Sequence, residues 1–435
     1  MHRSKRIVSV TAAAAIVAAG IVLIPAQERM NAAPAVQQPG TVPASVQRIL
    51  ARPGMREAQQ YIIGHRREAA RMLVEIGGIV SPSGQEQRRA EAVAARMRRI
   101  GLQDVRVDDA PNAVGILPGR SGKALVFIST LDDLATVAEH QRAAGHPPRI
   151  EEDRVVGPGT NTSSITVSML LAAEALVASD VEPHHDLIFA AVAQEETGLV
   201  GMHAIYEEYS DRALAFIDIL GDGRSISYGA IGIHWWKVIA SGPGGHSLGG
   251  GLPNVNQGIG RAVDRILQLP QPYEHAARRT VINIAQIHSG SVYNHKPESG
   301  WFSLDIRSLD GEVIEAIESD VREVLSGVGE QTGIRFEMEP FQITPGGQIP
   351  GLAEAPLVQT AADISRYLGY EPRLSDSGSS NMNVAIGAGS PAIGLGGGRG
   401  GARGQPEEWA DIPAMVRAAR HVALLGGLEE VYPGG

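Results

Sequence analysis

Two uninterrupted apolar runs, each ending in carboxylates, constrain this chain more than any other feature. KALVFIST over Lys123–Thr130 leads into Leu131–Asp132–Asp133, and DLIFAAVA over Asp186–Ala193 leads into Gln194–Glu195–Glu196–Thr197–Gly198. Runs of this length without polar alternation are strands buried on both faces, and such strands belong to parallel sheets covered by helices. An apolar helix over Thr166–Ala178 lies between the two, giving the strand–helix–strand order of an α/β layer structure. In open sheets of this kind ligands bind beyond the carboxyl ends of the strands. Both acidic loops therefore sit where a site is built, although a structural acidic loop is the plainer reading of either one alone.

Around these strands the pattern is similar. Residues 55–76 and Gln85–Ile100 read as helices, the second closed by Gly101, and Val105–Val107 and Ala113–Leu117 as strands. After about Ile226 the order changes. Strands at 231–240 and 279–288 flank a helix at 254–268, followed by a strand Gly300–Arg307, a helix Glu312–Leu325 and a strand Ile334–Met338. That is a β-α-β-β-α-β unit, a small open sheet with two helices on one face. The first pattern resumes with a helix at 355–368, a strand at 391–396 and a terminal helix at 412–427. The simplest organisation is a discontinuous larger domain, 46–228 and 340–435, with a smaller one inserted over 229–339. A chain of 435 residues, 43% hydrophobic, is long enough for two cores and too apolar for disorder.

Charge and cysteine content narrow the chemistry. The net charge is −10 with no basic block beyond the first residues and short arginine-rich helix faces, so nucleic acid is not an expected partner. The absence of cysteine excludes disulfides, a thiolate nucleophile and Cys–zinc sites. At the N-terminus Arg3, Lys5 and Arg6 precede the apolar run Ile7–Ile24, the pattern of an export signal. Residues 1–30 are expected to act as a cleaved signal or a retained anchor, followed by an Ala/Pro/Gln/Val-rich linker over 31–45. The body is then exported, to the periplasm or outside the cell, with membrane attachment only where the segment is kept.

Three further loops carry polar residues at turns: Gly157–Pro158–Gly159–Thr160–Asn161–Thr162, Ser241–Gly242–Pro243–Gly244–Gly245–His246–Ser247, and GGGRGGARGQPEEW over Gly396–Trp409. Taken in order with SPSG at 81–84, Glu195–Glu196, Asn294, DIRS at 305–308 and SPAIGLGGG at 390–398, they resemble the zinc-dependent family of aminoacylases, acetylornithine deacetylases, succinyl-diaminopimelate desuccinylases and carboxypeptidase G. The resemblance runs from about Leu73 to Ile412. It implies a zinc-exopeptidase fold of the phosphorylase/hydrolase-like type, with an inserted ferredoxin-like domain that pairs two subunits as a homodimer. It also implies a small amide or peptide-like ligand.

The residue pattern departs from that family where its metals bind. The resemblance implies a first ligand His at Thr130, a bridging Asp at Thr162, a general base at Glu195 and a ligand at Glu196. A further acidic ligand falls at Leu220, or at Asp218 or Asp222 after a small shift, and a C-terminal His falls at Arg403. Asp132 remains as the residue that would orient the first His. One expected metal position keeps at most one ligand and the other only Glu196, whereas zinc is held by three or four protein ligands. A bound zinc pair is therefore not expected, and the reading is a catalytically silent relative binding a peptide-like or N-acyl amino acid ligand, or a partner. An arginine at 403 would supply fixed positive charge to Glu195 or Glu196 in place of the metal. His246, by resemblance, polarises a substrate carbonyl in a cleft if the chain is active, and Asn294, Arg307 and Arg403 are candidate ligand-binding residues. Each has a plainer structural reading as a turn residue or a paired surface charge. The alternative is an active amide or peptide hydrolase with one divalent metal, held by Glu196, Asp132, Asp218 or Asp222 with His203 or His140. A serine hydrolase using Ser163 or Ser164 is a third reading, with no legible Ser-His-acid arrangement behind it.

Overall fold

The strand Ala124–Thr130 is fully buried because it pairs in parallel on both sides, with Asp186–Val192 and with Ala213–Ile219. Ala392–Gly396 extends this parallel core beside Ala213–Ile219. The carboxyl ends of all four strands thus open at one edge of the sheet. The eight-stranded sheet is finished on one side by Gln103–Val107 and Ala113–Leu117, paired antiparallel, and on the other by Ser225–Ser227, antiparallel to Ala392–Gly396, with Arg373–Ser375 parallel beside it. The sheet is mixed but mostly parallel at its centre, in an α/β fold. The computed structural model describes residues 42–270 and 278–433. The expected signal or anchor over 1–30 and most of the linker lie outside the described residues. The linker ends early, since a helix already spans Ala44–Leu50.

Helices cover both faces, and two differ from the sequence expectation in informative ways. The helical stretch 55–76 is two helices, Met55–Gly64 and Arg66–Gly77, broken at His65. The apolar helix begins at Thr160 rather than Thr166 and runs to Ala178 with nearly every side chain buried. Its polar start, TNTSS, is compatible with helix because Ser164 and Ser168 donate back to the carbonyls of Asn161 and Ser164, both at 2.7 Å. The terminal helix Ile412–Leu425 is capped by Asp411, whose carboxylate accepts from the Ala414 N–H at 2.6 Å.

A second antiparallel sheet is formed by Gly232–Ser241, Ser299–Ser308, Arg335–Thr344 and the short strands Val281–Asn283 and Ile287–Ser289. Helices Val255–Leu267 and Gly311–Thr332 pack on one of its faces around their own core, which includes Val238, Phe302, Leu304 and Ile317. The larger core is separate and gathers residues from Val46 to Ala230 and from Leu352 to Val431. The last strand continues to Thr344, past the expected boundary at 339. Pro340 is tolerated inside it because this strand pairs on one side only and slips register between Pro340 and Gln342.

Candidate functional site

The loop after Ala124–Thr130 is fixed from below. Arg89, fully buried on the helix Gln87–Ile100, donates to the Leu131 carbonyl at 2.7 Å, to the Ile79 carbonyl and to Asp133 at 2.7 Å. Burial still pushes the Asp133 carboxyl up to about 6 against this attraction. The neighbouring Asp132 turns the other way. It accepts from Ser83 Oγ at 2.6 Å and from the backbone N–H groups of Glu195 and Glu196 at 2.9 and 3.2 Å. One carboxylate therefore ties the two acidic strand ends together and sets the Glu195–Glu196 loop.

The third wall is the start of the helix Thr160–Ala178. Gly159 has φ +89°, and a Cβ there would sit 2.1 Å from Gln141 Nε2 and 2.6 Å from the Gly77 carbonyl oxygen, so only glycine fits. The open N–H groups of Gly159 and Asn161 donate to the buried Glu408 carboxylate at 3.0 and 2.9 Å. This anchors the helix end and sets Thr162 in its first turn.

Together these elements enclose a cavity of about 630 Å³. Thr130, Thr162, Glu195, Glu196 and Leu220 line it from the sheet ends, Arg399 and Arg403 from the glycine-rich loop, and Trp235, Gln342 and Thr344 from the second sheet. Arg403 forms an ion pair with Glu196, and Asn381 Nδ2 donates to the Thr130 hydroxyl at 3.3 Å. Burial, with Glu196, Asp218 and Asp132 close by, pushes the Glu195 carboxyl up to about 8, although Arg403 pulls it down. The shift favours the protonated acid at neutral pH, in which Glu195 can donate as well as accept.

A model of peptidase family M20/M25/M40 matches residues 133–425. The chain belongs to this family. The curated succinyl-diaminopimelate desuccinylase of Corynebacterium glutamicum is 27% identical over 74% of this chain and 85% of its own length. Among solved structures, an aminopeptidase from Bacillus cereus superposes with a TM-score of 0.67 at 19% identity, covering 84% of this chain and 97% of that one. A dinuclear metal binding peptidase of family M20 from Bacillus subtilis gives 0.62 at 14%, covering 83% and 98%. These two carry the fold alone.

Against the M20 pattern the expected residues fall into two groups. Thr130, Thr162, Glu195, Glu196 and Arg403 converge on the cavity, with Asp132 directly behind them. Asp218 is buried two residues before Leu220. It accepts from the Met382 N–H at 3.2 Å, and burial pushes the carboxyl up to about 6 although Ser380, Met382 and Asn381 pull it down. Asp222 is not available to the cavity: Arg224 Nε, Arg417 Nε and the Gly398 N–H donate to it at 3.1, 3.0 and 2.8 Å. His246 and Asn294 meet at 3.1 Å on the exposed ribbon Gly245–His246/His295–Lys296, outside the cavity lining. Arg307 is engaged by Asp305 at 3.0 Å. His140, His203, Ser163 and Ser164 do not line the cavity either.

Sequence reasoning missed Arg399, Trp235 and Glu408. Glu408 carried a signal in the EEW stretch, but its partners, Gly159 and Asn161, lie about 250 residues earlier in the chain. Arg399 and Trp235 are set by a glycine turn and by strand register, and neither is marked by composition.

Proposed function

We propose that this M20 protein is an exported, catalytically silent relative that binds a peptide-like or N-acyl amino acid ligand in the cavity at the strand ends. The observation that carries this reading is the Arg403–Glu196 ion pair. Members of the family normally bind zinc or other divalent metals, and the residues here do not fit a zinc pair. The one carboxylate retained at a ligand position is engaged by a permanent cation, and two threonines and a leucine occupy other ligand positions. Asp132 is spent on Ser83 and two backbone N–H groups, and among the described residues no imidazole lines the cavity. Among the described residues no group of three or more His, Asp or Glu is placed to hold a metal ion. Without a metal nothing brings the pKa of water toward about 7, so Glu195 has no activated water to deprotonate. Export rests on the N-terminal segment, and pairing of two copies through 229–339 on the family resemblance.

Metal analysis of the purified, dialysed protein, with hydrolysis assays on N-acyl amino acids and dipeptides, tests the reading. The expected result is sub-stoichiometric metal and no cleavage, with or without added zinc. Two tightly held ions per chain, or chelator-sensitive cleavage, would overturn it. One ion per chain with turnover would establish the alternative, a single-metal amide hydrolase.

A further inference from the structure

The cleft does not end at the catalytic-type sheet. Its far wall is the open face of the second sheet, and strand alternation decides which side chains reach it. His234 and Trp236 turn toward the helices, where both bond Glu318, at 2.6 and 2.8 Å. Trp235 and Lys237 therefore face the other way, and the register that sets Trp301 opposite Ile239 puts Trp301 on the same side. Here Trp235 borders a second cavity of about 480 Å³, which Phe341, Trp301 and Gln286 also line. The two cavities share Trp235.

Trp235 is held rather than free. Its indole N–H donates to Asp305 at 2.9 Å, the Arg307 guanidinium lies 5.8 Å from its ring, and Phe341 stands 6.3 Å away. Phe341 is 75% exposed. A fixed indole beside an exposed phenyl ring is an unfilled aromatic platform, and offset or edge-on ring contacts are worth more than their buried area.

The first cavity, which Trp235 borders, is also lined by Arg399, on the loop between Ala392–Gly396 and Gly400–Gly401. Among the described residues no carboxylate lies within ion-pair distance of its guanidinium and no acceptor hydrogen-bonds it, while Arg403 is committed to Glu196. A part-buried guanidinium has five donors to satisfy and matches a carboxylate in a planar, two-point geometry. Burial and the nearby Arg403 push it down to about 10, although Glu195, Glu196 and Glu408 pull it up. Thr130 and Thr162 offer hydroxyls alongside. One free guanidinium suits a monoanion, because a second negative charge would face Glu196 and Asp132.

We propose that the cleft binds an aromatic monocarboxylate, with its carboxylate on Arg399 in the space where family members hold metal and its ring on the Trp235–Phe341 platform. This rests on the metal-free reading of the cleft. The ligand thereby spans the two sheets, and the fixed charge that replaces the metals anchors it.

Calorimetric titration of the full chain with 4-phenylbutyrate tests the proposal, after chelator dialysis and with metal content measured on the same sample. The comparison ligands are 4-phenylbutyramide, butyrate and inorganic phosphate. Charge-assisted hydrogen bonds predict that the amide binds about tenfold or more weakly than the acid. Butyrate, lacking the ring, is also weaker, and phosphate does not compete. Arg399→Gln abolishes the preference for acid over amide. Trp235→Leu abolishes the preference for phenylbutyrate over butyrate and leaves the acid–amide difference in place, with circular dichroism confirming that both variants fold. Equal binding of acid and amide, an unchanged preference in Arg399→Gln, displacement by phosphate, or no binding of 4-phenylbutyrate overturns the proposal. Stoichiometric zinc in the sample overturns the metal-free reading instead. Metal-free protein that ignores the probe sinks only the ligand assignment.

Discussion

Replacing Arg89 by methionine removes the group that fixes the strand end behind the site. The side-chain volume is nearly kept, so the loss is electrostatic. Two carbonyls, Leu131 and Ile79, lose a charged donor, at about 1.5 kcal/mol each. Asp133 loses its partner while remaining fully buried. Its carboxyl already titrates at about 6 with Arg89 present, and without it the carboxyl stays protonated at pH 7. Taking up that proton costs about 1.4 kcal/mol per pH unit, hence about 1.4 kcal/mol at pH 7. The sum is about 4 kcal/mol, within the range of about 3–5 for breaking a buried pair from one side. The sign with pH follows. In the parent the folded state binds this proton more tightly than the unfolded one, so stability falls as pH rises from about 4 to about 6 and then levels. In the variant the fall continues above 6, and the gap between the two widens toward pH 8. Guanidinium unfolding followed by far-UV circular dichroism reads this out. Tryptophan emission is less suitable, because three of the four tryptophans, Trp235, Trp236 and Trp301, lie in the second sheet. Adding Asp133→Asn should remove the variant's extra pH dependence and recover part of the loss. An Arg89→Met protein within about 1 kcal/mol of the parent, or a gap that narrows toward pH 8, would refute the reasoning.

Glu195→Gln is expected to stabilise the protein increasingly as pH rises. The parent carboxyl titrates at about 8 when folded and near 4 when unfolded, so its cost grows across that window and is absent in the amide. Thermal unfolding at about pH 5 and about pH 9 should show a larger gain at the higher value, and an equal gain at both would count against protonated Glu195. Asp411→Ala removes the cap of the terminal helix and should cost about 1 kcal/mol in chemical unfolding. No change would mean that the Ala414 N–H finds another acceptor.

The sequence made the fold legible where burial is simplest. Ala124–Thr130 and Asp186–Val192 are apolar along their whole length because the sheet buries both their faces. The strand between Ala124–Thr130 and Ala392–Gly396, Ala213–Ile219, escaped notice because Asp218 interrupts its apolar run, and only the structure shows that carboxylate receiving the Met382 N–H. The early start of the helix at Thr160 was hidden for a related reason: hydroxyls that pair locally look like loop residues in a sequence. At the site, residues next to strand ends were legible, because strand ends are where open sheets place chemistry. Arg399 and Trp235 were not, because loop conformation and register bring them there across the gap between two sheets.

Two arginine–carboxylate pairs lie close together at these strand ends, and their exposures separate structural from functional roles. Arg89 and Asp133 are both 0% exposed, so removing either alone leaves a buried group in deficit and costs several kcal/mol. Arg403 and Glu196 are 42% and 22% exposed, and an ion pair open to water is worth at most about 1 kcal/mol. Stability therefore does not explain an arginine at 403. What that position does is set the charge of a cavity that also holds Glu195, Arg399 and two threonines. Changing Arg403 alone to histidine would not rebuild a metal centre. On the proposed reading it would place one imidazole beside Glu196 while Thr130, Thr162 and Leu220 supplied no further ligand, and Arg399 would still oppose a dication by its own charge. On the metal-free reading proposed above, these residues act as a set: the charge on Arg403 and Arg399 and the neutral side chains at 130, 162 and 220 all disfavour a dication.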